Sequence, residues 1–295
     1  TPGSTLHKSN TNQQTDLRTP VERRGLFVDT NYELTDNIRL RSNFLYSYRD
    51  AERTVAGYPM QANGFSPGTP MSAQSYFNPT GASIGNWFRR SWEVPRVSRS
   101  EQTTYRLSTA LEGTFEIGER FFDWDAGYQF SKSNALQSNY GNLNLPRVRQ
   151  AVGPSFLNAQ GQVVCGTPSA VVVGCVPWNP FLPFGVEGAG SLTNNTALQN
   201  YLFQEEHATG ETETEVFNAN LTGSLFTLPA GDLAFAVGVE TRKETGKFVP
   251  DALAVTGDST NLASGPTRGG YRVNEGYAEL QIPVLADLPF AKEVT

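Results

Sequence analysis

The chain is 295 residues long, with a formal net charge of -6, 18% charged residues and 11% aromatics. Apolar residues reach only 38%, below the roughly 45–50% of a typical globular domain, and the mean hydropathy is -0.39. The sequence has no uncharged apolar run of about 18 residues, which excludes membrane-spanning helices, and an isoelectric point near 5.1 argues against a nucleic-acid-binding surface.

Residues 1–20 are polar and show no periodicity. With no initiator Met and no basic-then-apolar leader, the sequence reads as a segment of a longer chain. From there the elements are strands, and they come in pairs. Over residues 23–34, Leu26, Val28, Thr30, Tyr32 and Leu34 share one face, opposite Phe27, Asp29, Asn31 and Glu33. A turn signal at residues 35–37 leads to a second strand over 37–50, with Ile38, Leu40, Phe44, Tyr46 and Tyr48 opposite Arg39, Arg41, Asn43 and Arg49. The period-two pattern predicts further strands over 99–115, 122–133, 213–226, 232–243 and 270–282. Residues 283–292 read as a short turn with an eighth strand beginning.

Each of the seven segments is roughly ten or more residues long, whereas soluble strands average about five or six. A strand tilted across a bilayer needs about nine to eleven. The connections alternate strictly: short between the members of each pair, long over 50–98, 133–212 and 243–269. That layout is expected of an antiparallel transmembrane β-barrel with short periplasmic turns and long extracellular loops. The whole of residues 1–295 is then one partial barrel domain. A soluble sandwich or barrel is the alternative, and it predicts shorter strands and tighter loops.

Charge chooses the face. Asp29, Glu33, Arg39, Arg41, Arg106, Glu112, Asp123, Asp125, Glu240, Arg242, Glu275 and Glu279 all fall on one alternating set. In lipid each would cost a few kcal/mol at mid-depth, so this set is expected to face a wet or plugged lumen. Seven strands leave an open edge, which cannot persist in lipid. The chain is therefore expected to belong to a larger barrel.

Cys165 and Cys175 are the only cysteines and flank a Gly/Pro-containing loop. They are expected to form a disulfide, which implies an oxidising compartment. Two free buried thiols are the alternative. A metal pair is disfavoured because neither His7 nor His207 is near in sequence. No catalytic constellation, cofactor motif or metal set emerges, and no enzymatic activity is expected. Gly185–Gly190 is Gly-rich but does not join a strand to a helix, so it fails as a dinucleotide loop. The pairs Asp123/Asp125 and Glu275/Glu279 read as lumen lining. Glu205, Glu206, Glu211, Glu213 and Glu215 read as a solvated loop rim. A short helix is expected near residues 195–206.

Three stretches carry a family resemblance. Gly269-Gly-Tyr-Arg-Val-Asn-Glu-Gly-Tyr-Ala-Glu-Leu-Gln-Ile-Pro-Val-Leu-Ala-Asp-Leu-Pro-Phe-Ala-Lys292 resembles the mid-barrel hairpin of TonB-dependent outer-membrane receptors, above all forms from carbohydrate-utilising proteobacteria. Ala234-Phe-Ala-Val-Gly-Val-Glu-Thr-Arg-Lys-Glu244 resembles the preceding strand, and Cys175-Val-Pro-Trp-Asn-Pro-Phe181 a Cys-containing extracellular loop. The resemblance implies a 22-stranded barrel, an N-terminal plug with a TonB-binding box, and uptake of a scarce solute. An oligosaccharide stands slightly ahead of a siderophore-like chelate. It also implies location in the outer membrane of a Gram-negative bacterium, and as partners the outer-membrane lipid, lipopolysaccharide and a TonB-type energy transducer acting through a plug that is not seen in this sequence. In the loops, Trp87, Trp92 and Trp178 are candidate stacking surfaces for sugar rings, and Arg89, Arg90 and Arg96 candidate anion contacts. A surface-interaction barrel (adhesin or assembly component) and a passive porin are the competing functions.

Overall fold

A computed structural model describes residues 10–295, apart from the side chains of Asp287, Ala291 and Glu293. His7 and the start of the polar opening stretch lie outside the described residues. Seven long strands form one antiparallel sheet: β1 (Val21–Thr35), β2 (Ile38–Val55), β3 (Arg96–Ile117), β4 (Arg120–Tyr140), β5 (Glu206–Leu228), β6 (Gly231–Val249) and β7 (Thr267–Gln281). Their spatial order is their sequence order, so the sheet is a simple meander. Residues 36–37, 118–119 and 229–230 are the tight turns; residues 56–95, 141–205 and 250–266 are the long loops. The expected short–long alternation is therefore present, and all long loops leave the same end of the sheet.

The strands run to 22 residues in β3 and 23 in β5, longer than the sequence pattern marks. Hydrophobic alternation reports only where one face is apolar. The extra length comes from polar stretches such as Glu206–Thr212, which keep the hydrogen-bonded ladder to β4 without an apolar face. Residues 285–294 depart from expectation. Instead of a turn and a new strand of the sheet, Leu285–Leu288 pairs with Ala291–Val294 as a separate hairpin. Pro283, just beyond β7, has no N–H to extend the ladder.

Register confirms the facing of the sheet. Cross-strand partners point to the same side, and the chain Val28–Phe44–Leu107–Phe130 gives one apolar row. Leu111–Ala126–Ala219–Val239 gives another. The twelve charged residues of the alternating set all lie on the opposite face. Apolar-face side chains have no protein layer over them: Leu107 is 42% and Val239 55% exposed. Such a continuous apolar sheet needs a non-aqueous neighbour, and the charged face cannot supply one. Among the described residues no helix is long and apolar enough to cross a membrane; the strands are the crossing elements. The fold is a segment of antiparallel transmembrane barrel wall, apolar outside and charged toward the lumen.

Candidate functional site

The lumen face carries a polar row across five strands. Glu112 on β3 accepts from Arg39 and Arg41 on β2, the latter at 2.9 Å. Next to it, Asp125 on β4 accepts from Asn220 Nδ2 at 2.8 Å and Asn218 Nδ2 at 3.3 Å, both on β5. Tyr277 on β7 then donates its hydroxyl to Asn220 Oδ1 at 3.1 Å. It reaches Asn220 by crossing Gly238 on β6, where an added Cβ would meet the Tyr277 ring at 2.3 Å. Glycine is required at 238 because another strand's side chain occupies the space above it. Toward the loop end, the same face holds a trough of about 650 Å³ lined by small groups, among them Ser133, Ala135, Thr212 and Gly246, and bounded by Phe248 and Tyr271.

Over this end sits a compact cap, which contains the described protein's largest apolar core. Residues 56–95 contribute Met60, Met71, Trp87 and Val94; residues 141–205 contribute Leu143, Val148, Trp178, Leu192, Leu198 and Leu202. Two short helices deliver part of this core. α1 (Leu145–Ala151) is capped by Asn144, whose side chain accepts from Arg147 N–H at 3.1 Å, and buries Leu145, Val148 and Ala151. α2 (Thr196–Leu202) is capped by Asn195 and buries Leu198 and Leu202. It stands where the sequence predicts a short helix.

Trp87 and Trp178 join the two loops edge to face, with ring centroids 5.3 Å apart. Trp87 Nε1 donates to Thr69 O at 3.0 Å. Arg89 and Glu93 form an ion pair with side chains only 10% and 4% exposed. Thr193 of the second loop donates to the same Glu93 carboxylate at 3.2 Å. Arg90 donates to Gly57 O at 2.8 Å. The half-buried Trp92 meets Phe184 edge to face at 6.2 Å, and its carbonyl accepts from Gln14 Nε2 at 2.8 Å. Trp87 and Trp178, 3% and 0% exposed, are thus corrected from ligand-stacking surfaces to core residues: their rings are already covered by each other and by neighbouring loops. Arg89 is spent on Glu93. Arg90 and Trp92 keep partly open surface.

The third long loop is held by a group that sequence reasoning misplaced. Glu206, read as part of a solvated rim, is 3% exposed. Its carboxylate accepts from Ser259 Oγ and, at 2.9 Å, from Asn261 Nδ2. Glu211 and Glu213, expected on the same loop rim, lie instead within β5 on its outward face, ion-paired to Lys132 at 3.1 and 3.6 Å. Cap burial raises the phenol of Tyr58 above its ordinary value, partly offset by nearby Arg96, and that of Tyr201, partly offset by Arg147.

Cys165 and Cys175 form the expected disulfide, with Cα atoms 5.9 Å apart. It staples a small sheet of Ser155–Leu157, Val163–Thr167 and Ala170–Val171. Among the described residues, no group of three or more His, Cys, Asp or Glu side chains is arranged to hold a metal ion.

Wall, polar lumen row and loop cap together define a segment of a membrane barrel. No family model and no curated protein sequence matches the chain. Among the solved structures similar to it are the ferric-catecholate import receptor Fiu from E. coli K12, at 14% identity and a TM-score of 0.39, and the siderophore receptor PiuA from Acinetobacter baumannii, at 15% and 0.35. The matches cover 88% and 89% of this chain but 32% and 29% of those receptors. The chain thus spans about a third of their length.

Proposed function

We propose that residues 1–295 are part of the barrel domain of a TonB-dependent receptor in the outer membrane of a Gram-negative bacterium, and that it takes up a scarce solute. The observation that carries this reading is the pairing of a lipid-facing wall with an ordered multi-loop cap above a polar lumen. A passive pore needs an open mouth; here the first two long loops share one buried apolar core. The charged lumen face suits a polar plug, whose movement by a TonB-type partner would release the solute. The solute is an oligosaccharide or an anionic chelate, met first by Trp92 and Arg90 at the cap and then by the small-residue trough beneath it. Such uptake needs no catalytic group and no cofactor in this segment. Outer-membrane lipid and lipopolysaccharide surround the wall.

The test is uptake by cells carrying the full-length protein, with labelled maltooligosaccharide and ferric-catecholate chelate as separate probes. Accumulation of one probe that an uncoupler abolishes supports the proposal. Uncoupler-insensitive entry, with ion conductance of the purified protein, contradicts it in favour of a pore.

A surface-interaction role is favoured by one feature. The stapled hairpin carries Val171 and Val173 at 52% and 93% exposure, and no charged residue occurs from Gln150 to Val186. Retention of a protein partner by that hairpin, with no uptake, would select this second function.

A further inference from the structure

The first long loop carries the chain's single Asn-Gly pair, Asn63-Gly64. Both residues are exposed. They complete a tight turn in which Gly64 N–H donates to Gln61 O at 3.1 Å. Gln61 Nε2 donates to Asn63 Oδ1 at 2.6 Å. That bond draws electrons from the side-chain carbonyl and makes Asn63 Cγ more electrophilic. Gly64 has no Cβ, so its backbone nitrogen can approach this carbon unscreened. Asn78, by contrast, precedes Pro79, which has no N–H, and Asn142 and Asn144 are buried. The exposed turn is wired directly into the cap core. Ala62, wholly buried, donates its N–H to Trp87 O at 3.0 Å, and its carbonyl accepts from Thr69 N–H at 2.8 Å. Thr69 O in turn accepts from Trp87 Nε1 at 3.0 Å. Asn63 and Gly64 thus lie inside the segment that the Ala62–Thr69 bond closes.

We propose that Asn63-Gly64 is a site of spontaneous covalent modification, at which the asparagine becomes a mixture of aspartate and isoaspartate, and that the isoaspartate form loosens the first loop around Trp87. The proposal stands on the loop structure and does not depend on the membrane reading. Local opening of the exposed turn releases Gly64 N–H from Gln61 O. Hydroxide takes the proton, and the Gly64 nitrogen attacks Asn63 Cγ. The bond from Cγ to the side-chain amide nitrogen breaks, and that nitrogen leaves as ammonia with a proton from water. Water then opens the cyclic imide, adding its hydroxyl to one carbonyl carbon and its proton to the ring nitrogen. Opening at Cγ gives aspartate with the backbone unchanged. Opening at the backbone carbonyl carbon gives isoaspartate, whose main chain runs through the former side chain and is one carbon longer. The added carbon lengthens the segment between Ala62 and Thr69. It therefore strains the bonds through which these two residues seat Trp87.

The test uses the full-length protein, folded in detergent, held at mildly alkaline pH and sampled over time. Isoaspartyl methyltransferase with a labelled methyl donor marks isoaspartate, and peptide mapping locates the label. Label is expected in the peptide that contains Asn63 and should be lost in Asn63→Gln. Gly64→Ala should lose it too. An added Cβ at 64 would lie 3.2 Å from Gln61 O; Asn63→Gln keeps the glycine, so the comparison holds even where Gly64→Ala displaces the turn. Chymotryptic cleavage at Phe65 and Trp87 should rise in step with the labelled fraction. Freshly purified Asn63→Asp, which carries the new charge on the normal backbone, should be cut like the wild type. No label at residue 63, over a period in which a synthetic peptide of residues 58–70 converts, overturns the proposal. Label at residue 63 with cleavage no faster than in Asn63→Gln also overturns it, because the modified loop would then still hold Trp87.

Discussion

Trp87 and Trp178 lie on different long loops and meet edge to face at 5.3 Å, each almost wholly buried. This contact makes the loops one body. Around it, the first two loops share Met60, Met71, Leu143 and Leu198 in a single core, and Glu206, at the start of β5, holds the third loop through Ser259 and Asn261.

Trp178→Ala should open the cap without unfolding the wall. Loss of a buried Trp costs about 3–5 kcal/mol, and that loss falls on the loops. Limited proteolysis should cut within residues 56–95 and 141–205, while the strands stay resistant. Trp92→Ala, at a half-buried position, should leave the loops intact. Equal protection of wild type and Trp178→Ala would show that the cap does not depend on this contact.

Gly238→Val should disrupt the lumen row. A Cβ at 238 would occupy the space of the Tyr277 ring and of Asn220 Oδ1, each 2.3 Å away. Tyr277 must then move, and its bond to Asn220 is lost. Tyr277→Phe removes the same bond without the clash and should cost about 0.5–1.5 kcal/mol. Thermal melts should rank wild type above Tyr277→Phe and Tyr277→Phe above Gly238→Val. The reverse order of the two variants would contradict the close approach.

Reduction of the Cys165–Cys175 bond should loosen only the stapled hairpin. The bridge closes a short loop, with a sequence separation of 10, for which chain entropy predicts about 2–3 kcal/mol. Mass spectrometry of unreduced protein should find the two cysteines linked. After reduction, amide exchange should quicken over residues 155–175 and stay unchanged in β3 and β4. Free thiols in the unreduced protein would contradict the bond.

Alkaline pH should weaken the cap through Tyr58 and Tyr201. Both phenols are raised by burial, so the neutral form is favoured in the folded cap. Their stabilisation is fully present below the ordinary phenol value of 10.0 and is lost as pH climbs through the raised folded values. Tyrosinate absorbance in Tyr58→Phe and Tyr201→Phe should lose a component that titrates above the ordinary phenol value of 10.0. Loss of an early component instead would refute the burial assignment.

The wall was legible in the sequence because a sheet with lipid on one side and a charged lumen on the other writes a period-two code. Arg39, Glu112 and Asp125 alternate with Leu40, Leu111 and Ala126, and the register places each set on its own face. Strand ends were not legible. Beyond the apolar band, Lys132, Glu213, Glu215 and Lys243 occupy the outward face, so alternation between polar and apolar disappears while pairing continues. The cap was illegible for another reason. Trp87, Trp178 and Glu206 acquire their roles only from residues distant in sequence, and no local period announces a core assembled from several loops. The disulfide was readable because its partners are close and have no competitor.

The central claim is the facing of the wall, and site-directed spin labels test it most directly. In the full-length protein reconstituted in lipid bilayers, labels at Leu107 and Leu221 should be accessible to oxygen dissolved in the bilayer. Labels at Ser108 and Thr222, one residue further along the same strands, should be accessible to a water-soluble nickel reagent. A reversed pattern, or the same environment at all four sites, would contradict a barrel wall with an apolar outer face and a polar lumen.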